Sequence, residues 1–178
     1  MNRISLYLNA LAGAGLFALL SGCGSFSNVR SFSTPYSMPP SEQTARLRVF
    51  SDGMVRAIPK SACIDYHLPG AGVMVVAREG YADRNNESLG MPPSDAQPSG
   101  TVKSEFNIPA GEPIAFVYNS DGCYNTFTFQ PVPGSDYELN AAGSSYCTVA
   151  VRRLPQASKP SKPILLSDSK MCRWQDNY

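Results

Sequence analysis

The chain has 178 residues, with 15 Lys and Arg against 14 Asp and Glu, and 43% of its residues are hydrophobic. A net charge of +1 leaves no electrostatic footprint for nucleic acid and no polybasic patch for a membrane surface. The length suits one domain of ordinary size plus tails.

Met1, Asn2 and Arg3 give the chain a positive start, and Ala10 to Leu20 is continuously apolar. That run is well short of the roughly 20 residues a membrane-spanning helix needs. Positive start, short apolar run and small residues together read as a secretory leader. The leader closes in Leu20-Ser21-Gly22-Cys23, which resembles the lipobox of bacterial lipoproteins. The resemblance implies a signal peptide over residues 1–22 and a lipid-modified Cys23 as the first mature residue. Acyl chains at ~0.8 kcal/mol per buried methylene make such an anchor effectively permanent. Gly24, where an Asp would retain the lipoprotein in the inner membrane, implies the outer membrane of the cell envelope. The competing reading is a leader cut elsewhere, with Cys23 an ordinary thiol.

Residues 23–44 are rich in Ser, Pro and Asn and read as a flexible, lipid-anchored tether. At Ala45 the pattern changes to period two. Leu47 and Val49 fall on one face of a strand, Arg46 and Arg48 on the other. Ser51-Asp52-Gly53 is a turn signal and Met54 to Ile58 resumes the alternation, so the pair reads as a β-hairpin. Gly72 to Ala77 reads as a short buried strand. Arg78 to Gly100 is polar and long for a turn, which marks a functional or mobile loop. Further strands are predicted over Val102 to Ile108 and Pro113 to Tyr118. Cys123 to Gln130, Tyr137 to Leu139 and Tyr146 to Val151 follow, with turns at Asn119 to Gly122 and Pro131 to Gly134.

No segment after the leader keeps an apolar i, i+3, i+4 pattern. The fold class is therefore all-β: an antiparallel sandwich or small barrel over residues 45–154. Residues 155–178 form a Pro-rich tail, and Cys172 and Trp174 point to its packing back onto the domain.

Apart from Cys23, four cysteines remain: Cys63, Cys123, Cys147 and Cys172. An even count in an exported chain reads as two disulfides. Three connectivities are open; the preferred one is Cys123–Cys147, stapling neighbouring strands, with Cys63–Cys172 tying down the tail. A zinc site is disfavoured, because no Cys-x-x-Cys pair is present. No metal or cofactor is assigned.

Candidate catalytic groups are sparse. His67 is the single histidine, and Asp65 falls on its side of an extended segment, but no Gly-x-Ser-x-Gly elbow accompanies them. A turn histidine is the favoured reading. Glu79, Asp83, Glu87, Glu105 and Glu112 offer carboxylates without a spacing that specifies a glycosidase. Asn119-x-Asp121-Gly122 and Asp83-x-Asn85-x-Glu87 echo a calcium loop but lack its twelve-residue ligand set. Arg46 and Arg48, with Arg152 and Arg153, form either a binding stripe or a solvated sheet face, the second being favoured. Tyr66, Tyr81, Tyr118, Tyr124, Tyr137 and Tyr146 are divided between core and interface roles.

Several motifs together resemble a group of small proteobacterial lipoproteins of unknown function. They are Arg46-Leu47-Arg48-Val49, Ser61-Ala62-Cys63, Ser88-Leu89-Gly90-Met91-Pro92, Phe127-Thr128-Phe129-Gln130-Pro131, Tyr137-Glu138 and Tyr146-Cys147. The resemblance transfers no catalytic residue. The expected function is a non-enzymatic β-domain on the outer membrane that binds another envelope component, a protein partner. The alternatives are a periplasmic inhibitor or immunity protein, whose loop 78–100 would plug an enzyme, and an envelope hydrolase.

Overall fold

The computed structural model describes residues 33–77, 84–94, 97–143, 146–156 and 160–173. The leader, Cys23, Glu79, Tyr81, Asp83 and Trp174 lie outside the described residues. Ten strands are present among those described: β1 (Thr44–Ser51), β2 (Met54–Ile58), β3 (Gly72–Val76), β4 (Val102–Pro109), β5 (Ile114–Ser120), β6 (Cys123–Phe129), β7 (Asp136–Ala142), β8 (Thr148–Arg153), β9 (Lys162–Pro163) and β10 (Ser167–Asp168). They make two five-stranded sheets, β4-β1-β7-β8-β9 and β10-β6-β5-β2-β3. The sheets form an all-β sandwich with no closed barrel. All pairings are antiparallel except β1 with β7.

Alternation builds the core. Ala45, Leu47 and Val49 of β1 face inward against Phe106 and Ile108 of β4 and Tyr137 and Leu139 of β7. Across the interior, Phe116 stacks on Phe127 at 5.1 Å and on Phe129 at 5.8 Å between ring centroids. Phe129 meets Tyr137 of the opposite sheet at 5.3 Å. Offset rings at these distances add about 0.5–1.5 kcal/mol per pair beyond burial.

The structure corrects two expected hairpins. β1 and β2 do not pair; the Ser51-Asp52-Gly53 turn carries the chain from one sheet to the other. Gly53 permits the crossing, because a Cβ there would stand 2.4 Å from the Asn119 carbonyl oxygen. Asp52 locks it, accepting the Tyr118 hydroxyl at 2.5 Å and the Gly143 N–H at 2.9 Å. Burial, then Asp52, pushes the Tyr118 hydroxyl up to about 12. Likewise β6 and β7, read as two arms around Pro131 to Gly134, belong to different sheets. Alternation fixes which face of a strand is apolar, but not which strand lies beside it.

The expected tether is also shortened. Tyr36 is 1% exposed, donates its N–H to Val73 and its hydroxyl to the Asn107 carbonyl, and meets Phe106 edge-on. Thr34 accepts the Val73 N–H, so this segment covers the β3 edge in parallel. Gly72 is required there, since a Cβ would lie 2.5 Å from the Pro35 backbone. The folded domain therefore begins near Thr34, not Ala45.

Two irregular segments close the sides of the sandwich. Arg84 donates its N–H to Met74 of β3, and the Asn85 amide exchanges two hydrogen bonds with the Val76 backbone. Asn86 and Glu87 then pair with Lys103 and Glu105 of β4. On the other side the tail runs from β9 on β8 to β10 on β6, with Ile164 and Leu166 packed against the core.

Candidate functional site

The outer face of the first sheet carries a row of charges set by register. Glu105, Arg48, Glu138 and Arg152 are neighbours on β4, β1, β7 and β8. Arg48 donates Nε and Nη2 to Glu105 Oε1 at 3.0 and 2.8 Å, and reaches Glu138 Oε2 through Nη1 at 3.5 Å. Arg152 donates Nε and Nη2 to Glu138 Oε1 at 3.0 and 2.8 Å. One row along, Arg46 grips Asp136 with two hydrogen bonds of 2.7 Å.

This face is neither a solvated one nor a free arginine stripe. Residues 88–94 lie over it, and Arg48 is buried. Arg48 Nη2 donates to the Pro92 carbonyl, and Glu105 Oε2 accepts the N–H groups of Leu89 at 2.7 Å and Met91 at 3.2 Å. Burial works to raise the Glu105 carboxyl, but Arg48 and the two backbone donors outweigh it and hold the group below its ordinary range. Glu138 is held low in the same way, burial being outweighed by Ser94, Arg152 and Asn140. Both carboxylates are ionised and spent on internal partners. Arg153, by strand alternation, projects from the opposite face of β8 and does not join them.

Beside the row a polar hollow of about 240 Å³ remains, bordered by Phe50, Ser88, Met91, Gln97 and Lys103. It is smaller than the roughly 300–1,000 Å³ of most ligand pockets. An open groove of about 660 Å³ lies at one end of the sandwich, lined by Ser41, Gln43, Lys60 and Glu112. Lys60 and Glu112 pair with each other at 3.1 Å.

The second sheet is covered differently. Ile58, Ala115 and Val117 pack against Ile64, Leu68, Ala71 and Met171 from the 59–71 connection and the tail. The backbones of Ile64, Lys170 and Cys172 are hydrogen-bonded, and the Cys63–Cys172 disulfide fixes the cover. Beside it, Arg56 lies 4.0 Å over the Tyr66 ring and donates to its hydroxyl at 2.6 Å. Burial pushes the Tyr66 hydroxyl up to about 12, with Arg56 opposing the rise.

His67 sits on the exposed rim of this cover, its ring 3.3 Å from Asp65, which also accepts the His67 backbone N–H. That is turn geometry. Asn119 lies in β5 in register with Tyr124, and Asp121-Gly122 form the β5–β6 turn; Glu87 pairs with Arg84. No group of three potential metal ligands occurs among the described residues.

Two of the exposed large side chains stand at the second disulfide, Cys123–Cys147. It joins the start of β6 to the residue before β8, and so ties the two sheets together instead of stapling neighbours in one sheet. Tyr124 and Tyr146 flank it, 61% and 85% exposed. Sequence reasoning missed Asp136 as a partner of Arg46. The signal was available: Arg46-x-Arg48 and Asp136-x-Glu138 have the same spacing and opposite charge, as two parallel strands in register require. Comparison with known protein families, with curated proteins and with solved structures returns no match to this chain.

Proposed function

We propose that this chain is a lipoprotein held in the outer membrane by Cys23, and that its sandwich is a non-enzymatic module that binds another component of the cell envelope. The observation that carries the reading is the pair Tyr124 and Tyr146, exposed on either side of a covalent staple. Tyrosine offers a large contact area at low cost in side-chain entropy. The Cys123–Cys147 disulfide limits the motion that binding would otherwise have to freeze. The inhibitor reading asks loop 78–100 to enter a foreign active site, and residues 84–94 are already engaged with β3, β4 and the charged row. This favours the binding module.

The lipobox supports the anchor. With the fold starting near Thr34, residues 24–33 could span at most ~35 Å at about 3.5 Å each, which keeps the module close to the membrane surface. Cys23→Ala should release a folded protein into the soluble periplasm. Persistent membrane association of the processed variant would contradict the anchor. Crosslinking in intact cells should give a discrete heavier species; bare monomer in every growth condition would contradict the module.

A further inference from the structure

Strand edges are ready templates for pairing, and proteins normally cover or charge them. Here the β3 edge is covered by Thr34–Tyr36, and the β4 edge by Asn86 and Glu87. The β8 edge is covered only in part. β9 pairs with Arg152 and Arg153, and the Ile164 N–H reaches the Val151 carbonyl at 2.8 Å. The tail then leaves β8 and crosses to β6, where it pairs at Phe127 and Thr128.

In a strand, the N–H and C=O of one residue face the same neighbour, and alternate residues face the same side. Since the Val151 carbonyl faces β9, the N–H and C=O of Val149 face the same way, beyond the point where the tail departs. Among the described residues nothing pairs there. Thr148-Val149-Ala150 also carries no Lys, Pro or bulge to guard it.

Five large apolar side chains are exposed among the described residues, and two border this edge. Leu165, 93% exposed, stands where the tail leaves β8, and Tyr146 precedes β8. We infer that the uncovered first half of β8 is a strand-addition site for an extended, alternately apolar segment of a partner polypeptide, antiparallel to β8 in the line β9 vacates. The chain already fills the rest of that line with its own residues 162–164, so the partner continues an existing interaction. Main-chain bonds to Val149 set the register, and Tyr146 and Leu165 grip side chains at the two ends. A second copy fits less well: the free stretch is three residues, with Leu165 and Tyr146 standing at its ends against a second folded edge.

This rests on the binding-module reading and specifies its partner. The test uses the full-length protein in detergent micelles and a phage-displayed library of random dodecapeptides. Enriched peptides should alternate apolar residues and lose at least tenfold in affinity on Val149→Pro, which removes the edge donor at a position where strands tolerate proline. Methylating the peptide nitrogens that face β8 should abolish binding to the unaltered protein, and binding should slow hydrogen exchange at the Val149 amide. No enrichment, equal affinity for the proline variant, or self-association lost in that variant would overturn the proposal. In cells, a crosslinked species formed from Tyr146 that Val149→Pro leaves unchanged would overturn strand addition while leaving the binding module standing.

Discussion

The outer face of the β4-β1-β7-β8 side is sealed by charge, and that of the β6-β5-β2-β3 side by apolar side chains under a disulfide. On the first, Glu105, Arg48, Glu138 and Arg152 alternate in sign, and residues 88–94 are bonded down to them through Glu105 and Arg48. On the second, Ile64, Leu68 and Met171 lie on Ile58, Ala115 and Val117, with Cys63–Cys172 holding the cover in place. The two seals should fail under different conditions. A charged seal depends on every partner being present and ionised, since removing one leaves a buried charge uncompensated. An apolar seal tolerates pH and depends on the covalent tie. On the charged face Arg48, Glu105 and Glu138 are taken up by internal partners, whereas the Tyr124–Tyr146 corner presents exposed aromatic side chains.

The largest effect should come from the tie. Replacing Cys63 and Cys172 by Ala removes a link spanning 109 residues, worth about 5 kcal/mol in the chain-entropy account. The shorter Cys123–Cys147 link, spanning 24, should cost about 3.5 kcal/mol. Urea unfolding of the two double variants would measure the difference. Next, Arg48→Met should destabilise by about 3–5 kcal/mol, because Glu105 and Glu138 lose their shared cation.

A smaller and more specific effect is expected from acid. Glu105 and Glu138 titrate below their unfolded value of about 4.3. Their contribution is therefore complete above that value and is lost as pH falls through their depressed folded values. The urea midpoint should stay flat from neutral pH down to about 5, as far as these groups decide it, and drop below about 4. Glu105→Gln should be less stable at neutral pH and show a shallower acid loss. An unchanged acid slope in that variant would contradict the charged seal. The smallest change should be Arg46→Ala, whose side chain is 37% exposed, at no more than about 1 kcal/mol by thermal melting.

Much of the sandwich was legible because alternation is a local property. Leu47 and Val49 against Arg46 and Arg48 mark β1 and its faces without any partner. The disulfide pairing preferred from the sequence is also the one in the structure. Partnership was harder to read. The Ser51-Asp52-Gly53 turn has hairpin composition, yet its glycine serves a close crossing beneath Asn119, which only the three-dimensional arrangement reveals. Tyr36 was lost in a Ser- and Pro-rich segment, although one buried aromatic and two backbone bonds suffice to bring Thr34–Tyr36 into the fold. Arg48 looked solvated because a strand pattern cannot show that a segment forty residues later will cover it.

Paired photocrosslinking in intact cells decides whether a partner docks at the disulfide corner or on the charged face. A photoreactive residue is placed at Tyr146 in one strain and in the other at Asn107, an exposed site on β4. A discrete heavier species from Tyr146 and none from Asn107 is the predicted result. Equal capture from both, or capture from Asn107 alone, would contradict it.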